Sequence, residues 1–131
     1  MNIRIIRLER KADPRGWLLK VLMKEQIEGS REFGEIYLSV SHPKETRGNH
    51  YHQGTTEWFT LLSGRGVLHL QDPRTGERKD LPLDAQEPQT VVVPPGVAHS
   101  IENTGAEPLY LLAYADVPYD PGNPDTVPFR I

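Results

Sequence analysis

The sequence predicts an all-β domain of the sandwich or barrel class. Short apolar runs recur at even spacing along the chain, and turn-forming residues bound each run; this pattern is typical of a protein with many short strands. The 11 glycines and 12 prolines are spread over the whole length, as tight turns between short elements require. No window has a convincing helical period, because the best one, Met23 to Glu28, is short and is followed by Gly29-Ser30.

The apolar runs define the predicted strands in chain order. They are Ile3–Leu8, Trp17–Lys24, Glu35–Ser41, Gly48–His52, Glu57–Leu62, Val67–Gln71, Lys79–Leu83, Gln89–Val93, Ala98–Asn103 and Pro108–Tyr114. The segments between them contain turn sequences such as Asp13-Pro14-Arg15-Gly16 and Pro94-Pro95-Gly96. The last segment, 117–131, is rich in proline, and we expect an irregular tail that drapes over the barrel or contacts a partner.

Composition excludes several classes of function. A chain of 131 residues has the size of one domain. Its net charge of −3 without a basic block disfavours a nucleic-acid partner. No apolar run approaches the roughly 20 residues that cross a bilayer, and the N-terminus lacks the apolar region of a secretory signal. The absence of cysteine excludes disulfides, thiolate nucleophiles and iron–sulfur clusters. We therefore expect a cytoplasmic protein with no nucleic-acid or membrane partner.

Histidine and glutamate are concentrated in two stretches. His50 and His52 are two residues apart, so on a strand both side chains point to the same face. Glu57 follows across a short turn and can return on the neighbouring strand. In the second stretch, Pro95-Gly96 supplies a tight turn and His99 opens the next strand. Three imidazoles and a carboxylate that converge inside a barrel form a site for a divalent metal, with a coordination position left open for water or substrate.

These two stretches resemble the two motifs of the cupin superfamily. The first motif consists here of Gly48, His50, His52, Glu57 and Gly64, and the second is Pro94-Pro95-Gly96-Val97-Ala98-His99-Ser100-Ile101-Glu102-Asn103. The resemblance implies a cupin fold, which is a double-stranded β-helix or jelly-roll barrel, over residues 1–131 as a single domain. It also implies that His50, His52, Glu57 and His99 hold the metal inside the barrel.

A narrower resemblance covers the chain from about Asp13 onward. It includes Asp13-Pro14-Arg15-Gly16, Thr46-Arg47-Gly48-Asn49-His50-Tyr51-His52, Thr56-Glu57-Trp58-Phe59 and Asn123-Pro124-Asp125-Thr126. These segments are similar to the C-terminal cupin domain of bacterial capsular-polysaccharide enzymes that reduce and epimerise UDP-4-keto-6-deoxy-hexosamines. The first two are also similar to dTDP-sugar epimerases and ketoisomerases.

This narrower resemblance implies a function in polysaccharide biosynthesis. The substrate would be a nucleotide-linked 4-keto-6-deoxy sugar, and the chemistry would be that of an epimerase or isomerase at C3. The relatives bind zinc, so zinc is the first candidate metal, with nickel, iron or manganese as alternatives. The resemblance also implies a homodimer.

Two departures from the relatives keep other hypotheses open. The relatives usually carry lysine at the positions of Thr55 and Trp58, so a cupin that binds the sugar without epimerising it is one alternative. A cupin dioxygenase is another, since the same set of three histidines and one glutamate supports it. The chain has no Rossmann domain, and we expect any reductase activity to be absent or to come from another protein.

Proton removal next to a ketone requires an acid or base within hydrogen-bond reach of the carbon. The candidates on predicted strands are His69, Tyr37 and Tyr114. Strand alternation alone does not tell which of them face the interior.

Two further residues are candidates for substrate binding. Arg47 could clamp a phosphate, because a guanidinium matches phosphate geometry. Simple alternation places it on the opposite face from His50 unless the strand bends at Gly48. Trp58, which alternates away from Glu57, could stack on a nucleobase or on a partner subunit.

The predicted homodimer also has a physical rationale. Small barrels expose strand edges and apolar faces that a partner commonly covers. The N-terminal segment Ile3-Arg4-Ile5-Ile6-Arg7 alternates in a way suited to adding a strand across such an interface.

Overall fold

A computed structural model of the chain describes residues 1–27 and 32–131. The strands in this part are β1 (Arg4–Arg7), β2 (Arg10–Asp13), β3 (Gly16–Leu19), β4 (Glu35–Ser41), β5 (Thr46–His52), β6 (Glu57–Ser63), β7 (Arg65–Gln71), β8 (Arg78–Asp84), β9 (Gln89–Val93), β10 (Ala98–Asn103), β11 (Leu109–Ala115) and β12 (Thr126–Pro128). A single 3-10 turn at Lys24–Gln26 is the one helical element among these described residues. None of their helices is long and apolar enough to cross a bilayer.

The strands form two five-stranded sheets and a separate hairpin. The first sheet has the order β1-β9-β6-β11-β4, and the second has the order β12-β5-β10-β7-β8. Within residues 1–27 and 32–131, strands β2 and β3 pair only with each other. The neighbouring strands of these sheets pair antiparallel, and most pairs join segments that are distant in sequence, as in a jelly roll.

The core lies between the inner faces of the two sheets. Leu68 and Leu70 of β7 are buried there, while His69 between them points outward, as the period of two along a strand requires. Phe59 of β6 and Val91 of β9 face them from the first sheet. Complete burial of a leucine stabilises the fold by roughly 1.5–3 kcal/mol, so this inner layer dominates stability.

The structure confirms the predicted all-β class, with corrections at both ends. The second predicted strand, Trp17–Lys24, ends at Leu19 and pairs with β2, which the sequence analysis did not predict. The tail at 117–131 is not wholly irregular, since β12 within it pairs with β5. The Gly29-Ser30 end of the weak helical window lies outside the described residues.

Candidate metal centre

Strand β5 has a one-residue bulge at the start of the histidine motif. His99 of β10 is opposite His50, but the next residue, Ser100, is opposite Gly48, so Asn49 is the extra residue. Gly48 has φ +105° and Asn49 has φ +60°. A Cβ on Gly48 would lie 2.8 Å from the His99 carbonyl oxygen, which explains the glycine. Asparagine is one of the few other residues that adopt a left-handed conformation readily.

The fold brings the four predicted metal ligands together. His50 and His52 come from β5, Glu57 from β6 in the opposite sheet, and His99 from β10. One ligand atom from each lies within 4.8 Å of all the others. Glu57 and His99 are buried, and His50 and His52 are partly buried. The centre therefore joins both sheets inside the barrel.

The surroundings of one carboxylate oxygen of Glu57 test whether these residues fit a metal ion. Its Oε1 atom is buried and accepts no hydrogen bond from the described part of the chain, although Nε2 of His52 lies 2.9 Å away and Nε2 of His99 lies 3.2 Å away. The Nδ1 atom of His99 is 3.1 Å from the carbonyl oxygen of Val97. Since a carbonyl can only accept, Nδ1 carries the proton and Nε2 presents a lone pair to Glu57. A lone pair that faces a buried carboxylate oxygen is repelled unless a cation lies between them, so the donor set fits a metal ion.

The charge states of the ligands also suit metal binding. Burial, together with the neighbouring His99 and His52, lowers the pKa of His50 to about 4, so this imidazole is neutral and able to coordinate at neutral pH. Burial alone would raise the pKa of Glu57, but the adjacent imidazoles of His52 and His99, with the Tyr37 hydroxyl, outweigh it and hold the pKa below its usual range. Burial opposes the charged form of His52, yet the contact with Glu57 raises its pKa, so a metal ion would compete with a proton at this imidazole. The carboxylate is ionised and attracts a cation in this state.

Tyr37 is the predicted acid–base candidate that the structure brings to this centre. It lies on β4, and its hydroxyl donates a hydrogen bond to Oε2 of Glu57. Burial and the adjacent Glu57 carboxylate raise the pKa of Tyr37 well above its usual range. The phenol therefore keeps its proton at neutral pH.

Two cavities meet at the centre. The first, of about 370 Å³, lies between the sheets and includes Arg47 in its wall. The second, of about 560 Å³, is bounded by the tail, with Tyr119 and Asp125 in its wall. Tyr37 and His50 line both cavities, so a molecule in either one could reach the same group of side chains.

The bulge at Asn49 explains the position of Arg47. By alternation Arg47 would face away from His50, but the extra residue restores it to the same face, and both line the first cavity. The Arg47 side chain is exposed at the edge of that cavity. Its placement is consistent with the predicted phosphate contact.

The structure does not bring His69 to the centre. His69 lies on the outer face of the second sheet, where its Nδ1 is 2.6 Å from Asp80 Oδ1 and its Nε2 is 3.3 Å from Glu102 Oε1. The alternation of β7 turns it outward, because the leucines on either side fill the core.

Tyr114 and Trp58 also lie away from the centre. With Val92 they form a small apolar cluster on the outer face of the first sheet. The Trp58 indole donates to the Gln26 carbonyl oxygen, and the Tyr114 hydroxyl accepts from the Gly34 N–H. Neither residue lines the two cavities at the centre, so the positions predicted for proton transfer and for base stacking are packing positions.

Two residues near His52 were assigned no role from sequence. Thr55 is buried and its hydroxyl donates to Oδ2 of Asp125, from the tail. The two residues are 70 positions apart in the sequence. No local sequence pattern predicts their contact, because only the folded tail brings them together.

Comparisons with known proteins identify the family of the chain and the proteins it is similar to. A family model described as "Polysaccharide biosynthesis C-terminal domain" matches residues 11–127. UDP-2-acetamido-2,6-beta-L-arabino-hexul-4-ose reductase of Pseudomonas aeruginosa is 29% identical over 115 residues, which cover 88% of this chain and 29% of the reductase. Glucose-6-phosphate isomerase of Pyrococcus abyssi is 38% identical over 124 residues, which cover 88% of this chain and 63% of the isomerase. The chain thus spans less than a third of the reductase and less than two thirds of the isomerase.

Solved structures have the same fold. The capsular polysaccharide assembling protein CapF from Staphylococcus aureus superposes with a TM-score of 0.74 at 27% identity, covering 95% of this chain and 33% of CapF. A dTDP sugar isomerase from Desulfovibrio desulfuricans superposes with a TM-score of 0.85 at 23% identity, covering 96% of this chain and 82% of the isomerase. The cupin barrel predicted from the two motifs is confirmed. With the family model matched over most of its length, the chain belongs to the polysaccharide biosynthesis C-terminal domain family.

Proposed function

We propose that this domain binds a divalent metal, with zinc as the first candidate, and exchanges the C3 proton of a nucleotide-linked 4-keto-6-deoxy sugar. The observation that carries the proposal is the buried Oε1 of Glu57, which faces imidazole nitrogens without accepting a hydrogen bond. The family match to polysaccharide biosynthesis and the likeness to a dTDP sugar isomerase support the substrate class.

His50, His52, Glu57 and His99 would hold the metal. A divalent metal bound there would act as a Lewis acid toward a substrate carbonyl and so acidify the neighbouring C–H. The protein contributes the enclosed surroundings, since Glu57 and His99 are almost fully buried. A site of low dielectric strengthens every electrostatic contact made within it.

Tyr37 is the proposed proton donor at C3. Its side chain lines both cavities, and its hydroxyl donates a hydrogen bond to Oε2 of Glu57. Because its pKa is raised, the phenol stays protonated while a base from solvent takes the original C3 proton and leaves an enolate; the phenol then protonates C3 and regains its proton from solvent. The carboxylate of Glu57 would thus have two functions. Its Oε1 would bind the metal, and its Oε2 orients the Tyr37 hydroxyl.

Charge assigns the orientation of the substrate. Among the described residues, Arg47 is the one permanently charged side chain that lines the first cavity. Four carboxylates line the second cavity, those of Glu35, Glu57, Asp120 and Asp125, and they repel phosphate. We therefore place the diphosphate beside Arg47 and the sugar ring in the first cavity, whose size falls in the range of roughly 300–1,000 Å³ found for small-molecule sites.

Isotope exchange tests the proposal. The purified protein is incubated in deuterated water with UDP- and dTDP-linked 4-keto-6-deoxy sugars, and deuterium at C3 is measured by NMR. We expect incorporation with the unmodified protein and with His42→Ala, which alters an exposed histidine away from the centre. We expect loss of incorporation with His50→Ala. Exchange at the buffer rate with every sugar would reject the epimerase function.

A second candidate is isomerisation of a sugar phosphate. It is favoured by the 38% identity to a glucose-6-phosphate isomerase, and Arg47 could bind a single phosphate as well as a diphosphate. Glucose 6-phosphate is incubated in the same way, and deuterium is measured at C2, the carbon next to its carbonyl, which distinguishes the two reactions. Exchange with this substrate alone would favour the sugar-phosphate reaction.

A further inference from the structure

The tail is attached directly to the strand that carries two of the four proposed ligands. In the β12–β5 pairing, Thr126 lies opposite His52 and Pro128 lies opposite His50. Beyond β12, the backbone N–H of Phe129 donates to the Asn49 carbonyl oxygen at 2.8 Å. The position of β5 therefore depends on residues far along the chain.

Asp125, just before β12, is the best-connected side chain of this attachment. Its Oδ1 accepts the backbone N–H groups of Gln53 and Gly54 at 2.8 and 3.0 Å. Its Oδ2 accepts the Thr55 hydroxyl. The carboxylate thus closes the loop between β5 and β6, which joins His52 to Glu57.

The outer nitrogen of His52 faces this same group. Its Nδ1 lies 3.4 Å from Oγ1 of Thr126 and 4.0 Å from Oδ2 of Asp125. A hydroxyl and a carboxylate at this side favour a proton on Nδ1. The Nε2 atom, 2.9 Å from Glu57 Oε1, then presents its lone pair toward the centre. Polar partners of this kind orient ligating histidines in metal sites.

We propose that Asp125 is a positioning residue for His52, and that Thr55 holds Asp125 in place for this purpose. This inference rests on the proposed metal centre. It also gives a role to Thr55, whose buried hydroxyl holds the Asp125 carboxylate 4.0 Å from Nδ1 of His52, where its charge favours a proton on that nitrogen.

The first test measures metal affinity. Metal-free protein is titrated with Zn²⁺ in competition with a chromophoric chelator. We expect Asp125→Ala to weaken binding by roughly 10–100-fold, the usual effect of losing an outer partner of a ligating histidine. Thr55→Val should also weaken it, and Thr55→Ser, which keeps the hydroxyl, should restore it. The matched control is Asp84→Ala, which removes a carboxylate that accepts a backbone N–H at the opposite edge of the same sheet.

The second test needs no metal. In ¹⁵N NMR of the metal-free protein, we expect His52 to carry its proton on Nδ1, and Asp125→Ala to shift it toward a mixture of tautomers. Circular dichroism of each variant verifies that the barrel remains folded. If the unmodified protein binds no zinc, the metal proposal fails while the tautomer measurement still decides the role of Asp125. An Asp125→Ala variant that is folded, has the original tautomer and binds zinc within twofold of the unmodified protein would overturn the inference.

Discussion

Glu57 has two carboxylate oxygens with opposite surroundings. Oε2 accepts the Tyr37 hydroxyl, whereas Oε1 faces the Nε2 atoms of His52 and His99 without a hydrogen bond. Without a cation this arrangement is destabilising, because acceptor faces acceptor in a buried place. Under the proposed function, this arrangement would favour the metal-bound protein over the metal-free one.

Glu57→Gln tests whether the contact between Oε1 and the imidazoles destabilises the metal-free protein and whether the carboxylate is needed to bind a metal. Glutamine keeps an oxygen for Tyr37 and adds N–H donors that can bond to the imidazole lone pairs. We expect the Tm of the metal-free variant to equal or exceed that of the unmodified metal-free protein. The rise in Tm on adding zinc, equivalent to about 2.7 kcal/mol at a zinc concentration 100 times Kd, should be lost. A lower metal-free Tm together with a normal response to zinc would contradict this account.

Tyr37→Phe removes the proposed proton donor but none of the metal ligands. We expect C3 exchange to fall by about 10²–10⁴-fold, the usual contribution of a positioned acid or base. Metal content, measured by elemental analysis, should be retained. Because Oε2 of Glu57 loses its partner, the free energy of unfolding should fall by about 1–3 kcal/mol. Exchange at the unmodified rate would show that another group supplies the proton.

Strands with an alternating apolar pattern could be predicted from the sequence, and strands held only by backbone pairing could not. The run Val67–Gln71 alternates and lies within β7. By contrast, β2 reads Arg-Lys-Ala-Asp and has no apolar face to recognise. Strand β12 contains Pro128, which argues against a strand unless it lies at a sheet edge, and β12 does lie at an edge.

In the candidate site, too, features that follow from a local pattern could be predicted, and features that depend on strand pairing could not. The convergence of His50 and His52 follows from the strand period, which acts within one segment. The side taken by Arg47 depends on the register between β5 and β10, which no local pattern encodes. The outward position of His69 depends on which face of β7 the rest of the barrel covers.

Gly48→Ala tests the importance of the β5 bulge. The new Cβ would lie 2.8 Å from the His99 carbonyl oxygen at φ +105°, so strain and steric overlap act together. We expect the free energy of unfolding in urea to fall by about 2–4 kcal/mol. Gly54→Ala is the control, since its Cβ would meet no atom within 4 Å, and it should change stability by about 0.5 kcal/mol or less. Equal effects of the two substitutions would argue against a strained bulge.

At the scale of the whole molecule, the open edge of the first sheet favours a second copy as partner. In the described part of the chain, β4 pairs only with β11. Its outward residues Ile36, Leu38 and Val40 are 58%, 53% and 38% exposed. A two-fold axis at Leu38 would bring Ile36 against Val40 of a second copy, without placing like charges together. The N-terminal segment predicted to cross the interface pairs instead with β9 of its own chain.

Leu38→Asp tests the predicted homodimer. We expect light scattering at micromolar concentration to give a dimer mass for the unmodified protein and a monomer mass for the variant, because two carboxylates would meet at the axis. Ser63→Asp, on an exposed position of β6, is the control and should remain dimeric. A monomer mass for the unmodified protein would reject the homodimer.

The extra residue in β5 matters for anyone who transplants this motif to another barrel. Copying His-x-His alone onto a regular strand would reproduce the two imidazoles, but the guanidinium three positions earlier would emerge on the outer surface. Asn49 must be copied as well, because it is the extra residue of the bulge and has a left-handed conformation. The bulge reverses the alternation of faces, so residues before it and after it point to the same side. If this sequence were aligned with a barrel that has no bulge here and the extra residue were not given a gap, Arg47 would be matched with a residue that faces outward.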